Sequence, residues 1–481
     1  MDTLSYFKQI CSIPRESGNE DGIRNFLLSW AKDNKFDAIT DKAGNVIVYR
    51  EATKGFENVP PVCLQGHMDM VCVKKTGSNH NFLTDPIETV EKDGFLYAKD
   101  TSLGADNGIA LAMIMALFTD PKAEHGKLEA LFTFSEETGM FGAFGLDADK
   151  IHSRRMINLD SEEEGIIYIG CAGGTDVEGS FRAELQSVPE DWEPVFIKVG
   201  GLKGGHSGGE IHRQRANAIK ILSLMLCALE KENRPFMLST LEGGTRRNVI
   251  PSEAHCVICL PSASKKASMH LILNAFEQAK ALYSVEDPGM SNDHYCSHHN
   301  SSLKKPEKAF SVDDSRKIAR ALFCTPHGVA SMSKAVEGVV ETSQNLAIVR
   351  TKDNCLNVEI SVRSLVEFAK AAQVEKNEFI LQSFGFETKT GGHYPSWAPD
   401  RESSLCAFCA KAWKDVTGKD AVITSIHAGL ECGVINSRIP GMDSVSIGPD
   451  LFDVHSTNEH LSLASAARIY DFVKHLLSII R

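Results

Sequence analysis

The chain has 481 residues, 42% hydrophobic and 24% charged, with a formal net charge of −12. That length exceeds one ordinary core and implies at least two domains. The acidic balance excludes a nucleic-acid partner, which would require a basic footprint, and no apolar run approaches the roughly 20 residues that span a bilayer.

The opening stretch, MDTLSYFKQICSIPRESG, lacks the basic-then-apolar order of a secretory signal. Thirteen cysteines, an odd number, are scattered through helix-like and strand-like segments. Reduced, mostly buried thiols in a cytoplasmic protein are the expectation, not a disulfide framework.

In chain order, apolar spacing of three and four predicts helices over 4–11 and 22–33. Strands are predicted over 45–50 and, as a buried run, over 62–65. A helix over 106–118 opens on an Asp-Asn-Gly turn, with Asp106 or Asn107 as its N-cap. Strands return at 128–134 and 156–159, and this alternation predicts an α/β sheet with helices on its faces. From about 176 to 399 the texture changes. Strands are predicted at 194–199, 255–260, 344–350 and 355–363, and helices at 215–230, 266–283, 313–324 and 367–384. A loop at 289–307, rich in Ser, Asn, His and Lys, divides this stretch into two similar α+β halves. A helix at 405–416, a strand at 444–447 and a helix at 462–480 then restore the α/β texture. One domain, 1–175 and 400–481, interrupted by an inserted domain, 176–399, accounts for this order.

Five short segments carry the chemistry: Gln65 to Asp69, Gly104 to Gly108, Ser135 to Gly139, Asn158 to Asp160, and Asp453 to Ser456. Four of them follow, or nearly follow, a predicted strand, and the Asp106 segment precedes a helix. Ligands gather at the carboxyl ends of strands in open α/β sheets, so segments far apart in sequence can meet in one cleft. Their imidazoles and carboxylates are donors that zinc accepts at about 2.0–2.2 Å. A carboxylate bridging two ions about 3.5–4 Å apart would hold a hydroxide between them. In His67-Met68-Asp69 the carboxylate can take the second imidazole N–H and fix the tautomer. Of the adjacent Glu136 and Glu137, one can bind metal while the other serves as general base. Taken singly, each has an ordinary explanation: a surface HxD, a helix cap, a solvated acid pair, a turn. The run Glu162-Glu163-Glu164 reads as solvent-exposed.

Together and in this order, the segments resemble the M20 family of metallopeptidases, in its aminoacyl-histidine dipeptidase branch. The resemblance runs from Ile13-Pro14-Arg15-Glu16-Ser17-Gly18 to the last helix and is densest in QGHMDMV, DNGIALA, FTFSEETGMFGA, NLDSEE and HAGLECG. It implies a zinc-exopeptidase type of catalytic domain, a mixed sheet flanked by helices, interrupted by an α+β lid. It also implies two divalent ions, zinc in preference to cobalt or manganese, and hydrolysis of dipeptides such as β-alanyl-histidine. Asp106 would bridge the ions, His67 and Asp160 would bind one, and Glu137 and His455 the other. Glu136 would be the general base, and Asp69 would orient His67. His460 rivals His455, but His-Ser followed by Glu459 is closer to the family pattern, although Thr457 stands where proline is common.

In the lid, His206 of Gly204-Gly205-His206-Ser207-Gly208 would polarise the scissile carbonyl. Asn248 would contact substrate, and Arg363 would bind the free carboxylate of the dipeptide. His427 and Glu431, in HAGLECG, would line the substrate pocket, with Glu431 reading the free amine. Family members that dimerise through a shorter lid borrow the histidine from their partner. Two lid halves in one chain imply that His206 serves its own site, with a homodimer still compatible.

Other features carry less. The CxxC pairs Cys256/Cys259 and Cys406/Cys409 lie too far apart for a zinc ribbon and read as buried thiols. Gly200 to Gly209 lacks the GK[ST] ending of a phosphate loop. The histidines between 292 and 300 belong to a polar loop. An amidase or deacylase acting on N-acyl amino acids would use the same metal motifs. A non-catalytic binding protein would have lost Glu136 or a ligand, and all are present.

Overall fold

A computed structural model describes residues 1–296 and 303–481. His298 and His299 of the polar loop lie outside the described residues. The chain forms two compact units: residues 1–171, 397–426 and 430–481 in the first, and residues 172–396 and 427–429 in the second.

The first unit is built on an eight-stranded mixed sheet. Four neighbouring strands run parallel at its centre: Leu128–Thr133, Val62–His67, Arg155–Asn158 and Asp443–Ser446. Alternation along each strand sends side chains to opposite faces. Val62 and Leu64 join the core under the helices Thr3–Cys11, Asp21–Asp33, Ala105–Thr119, Ser404–Thr417 and Leu463–Ile479, while Cys63 joins a smaller core on the other face. The helix Ala105–Thr119 is apolar around most of its circumference and is buried along nearly its whole length, as such a helix must be. Among the described residues no helix is long and apolar enough to cross a membrane.

The second unit is a nine-stranded antiparallel sheet with four helices sharing one core. Its first half runs strand Trp192–Gly200, helix Ala218–Lys231, strands Met237–Gly243 and Ala254–Pro261, helix Lys265–Leu282 and strand Ser291–Cys296. Its second half takes strand Gly173–Arg182, helix Val312–Cys324, strands Val340–Lys352 and Cys355–Ser364, helix Glu367–Ser383 and strand Glu387–Tyr394. Both are β-α-β-β-α-β units with strand order 4-1-3-2. They join edge to edge through their second strands, Met237–Gly243 and Val340–Lys352. The two α+β halves are therefore present, but the polar loop is not a clean divider. The second half begins before the first, because Gly173–Arg182 pairs with Cys355–Ser364 over ten residues. Part of the expected loop, Ser291–Cys296, is also an edge strand, paired with Trp192–Gly200.

All 13 cysteines are free, and both CxxC pairs are buried. In strand Ala254–Pro261, Cys256 enters the main core and Cys259 a separate small cluster, as spacing of three on a strand requires. Glu162 and Glu163 are exposed, but Glu164 is not: it is half-buried, and Arg468 Nε and Nη2 each donate to its carboxylate at 2.6 Å.

Candidate active site

In the first unit, three of the central parallel strands end on the expected residues. His67 is the last residue of Val62–His67, Glu136 and Glu137 follow Leu128–Thr133, and Asp160 follows Arg155–Asn158. Gly66 is required beside His67, because a Cβ there would lie 2.4 Å from Asn107 Oδ1. That same oxygen accepts the His67 backbone N–H, while Asn107 Nδ2 donates to the Leu159 carbonyl at 2.9 Å. Asn107 thereby ties two of the strand ends together.

Neither Asp106 nor Asn107 caps the helix Ala105–Thr119, contrary to expectation. Both have non-helical backbone angles, and Gly104 stands at the N-cap. The cap is supplied from elsewhere. Glu459 accepts the backbone N–H groups of Leu103, Gly104, Ala105 and Asp106 at 2.8–3.3 Å, a carboxylate at a helix N-terminus. The Asp106 side chain is thus free to face the site.

Its two oxygens face two histidines. Oδ1 lies 3.0 Å from His67 Nε2, and Oδ2 lies 3.0 Å from His455 Nε2. His67 Nε2 is also 3.4 Å from Asp160 Oδ1, and His455 Nε2 is 3.1 Å from Glu137 Oε1. Ligand atoms of His67, Asp106 and Glu137 all lie within 4.8 Å of one another. His460 is elsewhere: its ring stacks on Tyr97 and Phe452 at 4.8 and 4.9 Å between centroids.

Asp69 organises two members of the group. One of its oxygens and its backbone carbonyl each lie 3.2 Å from His67 Nδ1, which leaves Nε2 to face the acids. Its carboxylate also accepts the backbone N–H groups of Glu136 and Glu137 at 3.0 and 3.2 Å, and the Ser17 hydroxyl at 2.7 Å. Behind it, the buried Arg15 donates to the carbonyls of Met68, Asp69 and Gly104. Sequence reasoning did not single out Arg15 or Glu459, and it offered Asn107 only as a helix cap. The acid at 459 entered only as motif spacing, and nothing in the sequence marks a buried arginine.

The electrostatics follow from crowding carboxylates in a buried place. Burial pushes Asp160 up to about 6, against the pull of His67. Burial also raises Glu136 well above the usual carboxylate range, with Asp160, Glu431 and Glu137 adding to the rise and His67 opposing it. Burial opposes ionisation of Asp106 too, but His455 and His67 outweigh it and hold the group below the usual range. His455 is raised to about 11 by its hydrogen bonds to Asp106 and Glu137. Burial works to lower His67, yet Asp160, Asp106 and Asp69 overcome it and raise it.

This donor set fits divalent cations. Imidazole and carboxylate are the zinc donors, the cluster is rich in negative charge, and Asp160 Oδ1 is buried with no hydrogen bond. A metal would displace the protons of both imidazoles, because a ligating histidine is neutral.

Glu431 was expected to line the substrate pocket. It is fully buried, with Oε2 accepting from Gln65 Nε2 and Thr133 Oγ1 at 2.6 Å each, and burial pushes it up to about 7. The helix it opens, Glu431–Arg438, points the carboxylate into the sheet rather than toward solvent.

The second unit gathers the remaining residues. A cavity of about 530 Å³ is lined by Asp176, Arg246, Arg247, Asn248, Arg363 and Tyr394, among others. Arg247 pairs with Asp176, whereas Arg363 Nε is buried with no hydrogen bond. Gly208 sits where a Cβ would come within 2.7 Å of the His427 carbonyl oxygen, 3.0 Å of the His206 ring and 3.2 Å of Arg363. Only glycine permits that approach. His206 Nδ1 accepts the backbone N–H groups of Gly208 and Gly209, which fixes Nδ1 as the acceptor nitrogen. Burial and the nearby Arg363 lower its pKa, so the ring is neutral with its proton on Nε2. Burial and Arg363 likewise lower His427 to about 3.

Comparison with known proteins places these features in context. The chain matches the family described as Peptidase family M20/M25/M40 over residues 63–479. It is 37% identical to the cytosol non-specific dipeptidase of Escherichia coli K12, over 98% of this chain and 96% of that one. The crystal structure of aminoacylhistidine dipeptidase from Vibrio alginolyticus superposes with a TM-score of 0.94 at 34% identity, covering 100% of this chain and 96% of that chain. A succinyl-diaminopimelate desuccinylase of Nitratiruptor sp. is 29% identical over 28% of this chain and 35% of its own.

Proposed function

This chain belongs to peptidase family M20/M25/M40, and on that premise we propose that it is a dipeptidase that works with two divalent metal ions. The observation that carries the reading is Asp106, whose two carboxylate oxygens face two different histidines at 3.0 Å each. His67 and Asp160 would hold one ion and Glu137 and His455 the other, with Asp106 shared between them. Zinc suits these donors, and cobalt or manganese can occupy carboxylate-rich sites of this kind. When bound, the ions supply a Lewis acid and a water of lowered pKa.

The chain's own residues do the rest. Glu136 takes the proton of the attacking water and hands it to the leaving amine nitrogen. Asp69 holds the Glu136-Glu137 backbone, so base and ligand keep a fixed spacing. Neutral His206 donates its Nε2–H to the carbonyl oxygen as negative charge develops there. Arg363 takes the terminal carboxylate of the substrate, which selects short peptides over internal bonds. His206 and Asn248 come from the first half of the second unit, and Arg363 from the second half. The second half thus stands in for a partner's lid, and His206 serves its own chain.

The named activities of the two near-full-length relatives favour dipeptides, Xaa-His among them, over N-acyl amino acids. The experiment is a substrate panel: β-alanyl-histidine, its C-terminal amide, and an N-acyl amino acid. The free dipeptide should exceed its amide in kcat/KM by roughly 10- to 100-fold, the worth of a charged hydrogen-bonded contact. Faster hydrolysis of the N-acyl amino acid would replace this reading with the deacylase one.

A further inference from the structure

We infer that Ser343 and Asn345 are positioning residues, and that strand Val340–Lys352 is the template on which His427 and the loops bearing His206 and Asn248 are aligned. The inference rests on the substrate-binding roles given above for those residues. Three observations carry it, all within the second unit.

The first is the direction of the strand's side chains. Gln344 accepts from Gln373 and Asn377 of the helix Glu367–Ser383, so it faces the helical layer. Ser343 and Asn345, one residue to either side, therefore share the opposite face. That face also carries Ser361 and Arg363, which are their register partners on Cys355–Ser364 and line the cavity.

The second is what Asn345 holds. Its Nδ2 donates to the carbonyls of Arg247 at 3.1 Å and Val249 at 2.8 Å, bracketing Asn248. The Asn248 carbonyl in turn accepts the Ser207 N–H at 2.8 Å, and the Ile250 N–H donates to Gly205 at 2.9 Å. His206 lies between those two bonds and is bridged to Val249. Asn345, from the second half of the unit, thus reaches His206 of the first half through two short links. Its Oδ1 is buried and accepts nothing, so the side chain acts only as a two-pronged donor.

The third is Ser343, whose Oγ lies 2.7 Å from His427 Nε2. One strand face therefore fixes His427, the Asn248 loop and, through that loop, His206, all beside Arg363.

The test uses the zinc-loaded full chain carrying Asn345→Asp, which keeps the shape and replaces the donor with an acceptor facing two carbonyls, and Asn345→Ala as a second variant. Hydrogen–deuterium exchange should quicken in residues 204–210 and 246–251 and stay unchanged in Trp192–Gly200 and Cys355–Ser364. With β-alanyl-histidine, kcat/KM should fall about 100-fold, the expected scale for a catalytic group displaced by about 1 Å. Added to His206→Ala, Asn345→Asp should cost clearly less than it does alone, since much of its effect passes through His206. Unchanged exchange in the two loops, exchange raised across the whole unit, or losses that multiply in the double variant would each overturn the inference. If the wild-type chain hydrolyses no dipeptide, the function reading fails, and the exchange pattern alone decides the positioning claim.

Discussion

Glu136→Gln is expected to lower kcat on dipeptides by about 10²- to 10⁴-fold, the usual contribution of a positioned acid–base group, while metal content stays at the wild-type level. The substitution is nearly isosteric and removes only the ability to accept and return a proton. The five side chains proposed as ligands are untouched. The turn that carries Glu136 also survives, because Asp69 holds it through backbone N–H groups rather than through the side chain. A kcat within a few-fold of wild type would reassign the base. The same variant tests whether each chain is self-sufficient. Mixed with His206→Ala subunits, it should recover no activity, whereas recovery would mean that His206 is shared across chains.

Asp106→Ala is expected to remove metal and activity together. Each of its oxygens faces a different histidine, so both proposed ion positions would lose a ligand at once. Changes to outer partners of a metal ligand already weaken binding about 10- to 100-fold, and loss of a shared ligand should exceed that. Elemental analysis after dialysis should find far less zinc than in wild type, and circular dichroism should find the fold intact. The fold should survive because Glu459 caps the helix Ala105–Thr119 through backbone groups that the substitution leaves in place. Full metal content in this variant would remove Asp106 from the ligand set.

Much of the fold was legible because period and composition carry it. The strands read over 62–65 and 128–134 are Val62–His67 and Leu128–Thr133, and the final helix read over 462–480 is Leu463–Ile479. Gly173–Arg182 was not read as a strand: it contains five polar or charged residues and three glycines, and its pairing partner lies far along the chain. Strand pairing over such separations leaves no local pattern, so the nesting of one half of the second unit within the other was invisible. The residues proposed as ligands could be named because histidine and carboxylates after strands are chemically conspicuous and, taken together, match a family pattern. Their supports could not. Glu459 acts through backbone groups more than 350 residues away and Asn345 through groups 96 and 98 residues away, and only folding brings them there. Glu431 shows the opposite error. Its place in a motif suggested exposure to substrate, whereas the structure buries it against Gln65 and Thr133.

The most direct test of the central claim is a metal titration followed by turnover. Protein stripped with a chelator and dialysed should lose its hydrolysis of β-alanyl-histidine. Zinc added stepwise should restore activity and saturate at two ions per chain. Hydrolysis that persists in the stripped protein, or no hydrolysis at full zinc occupancy, would contradict the account.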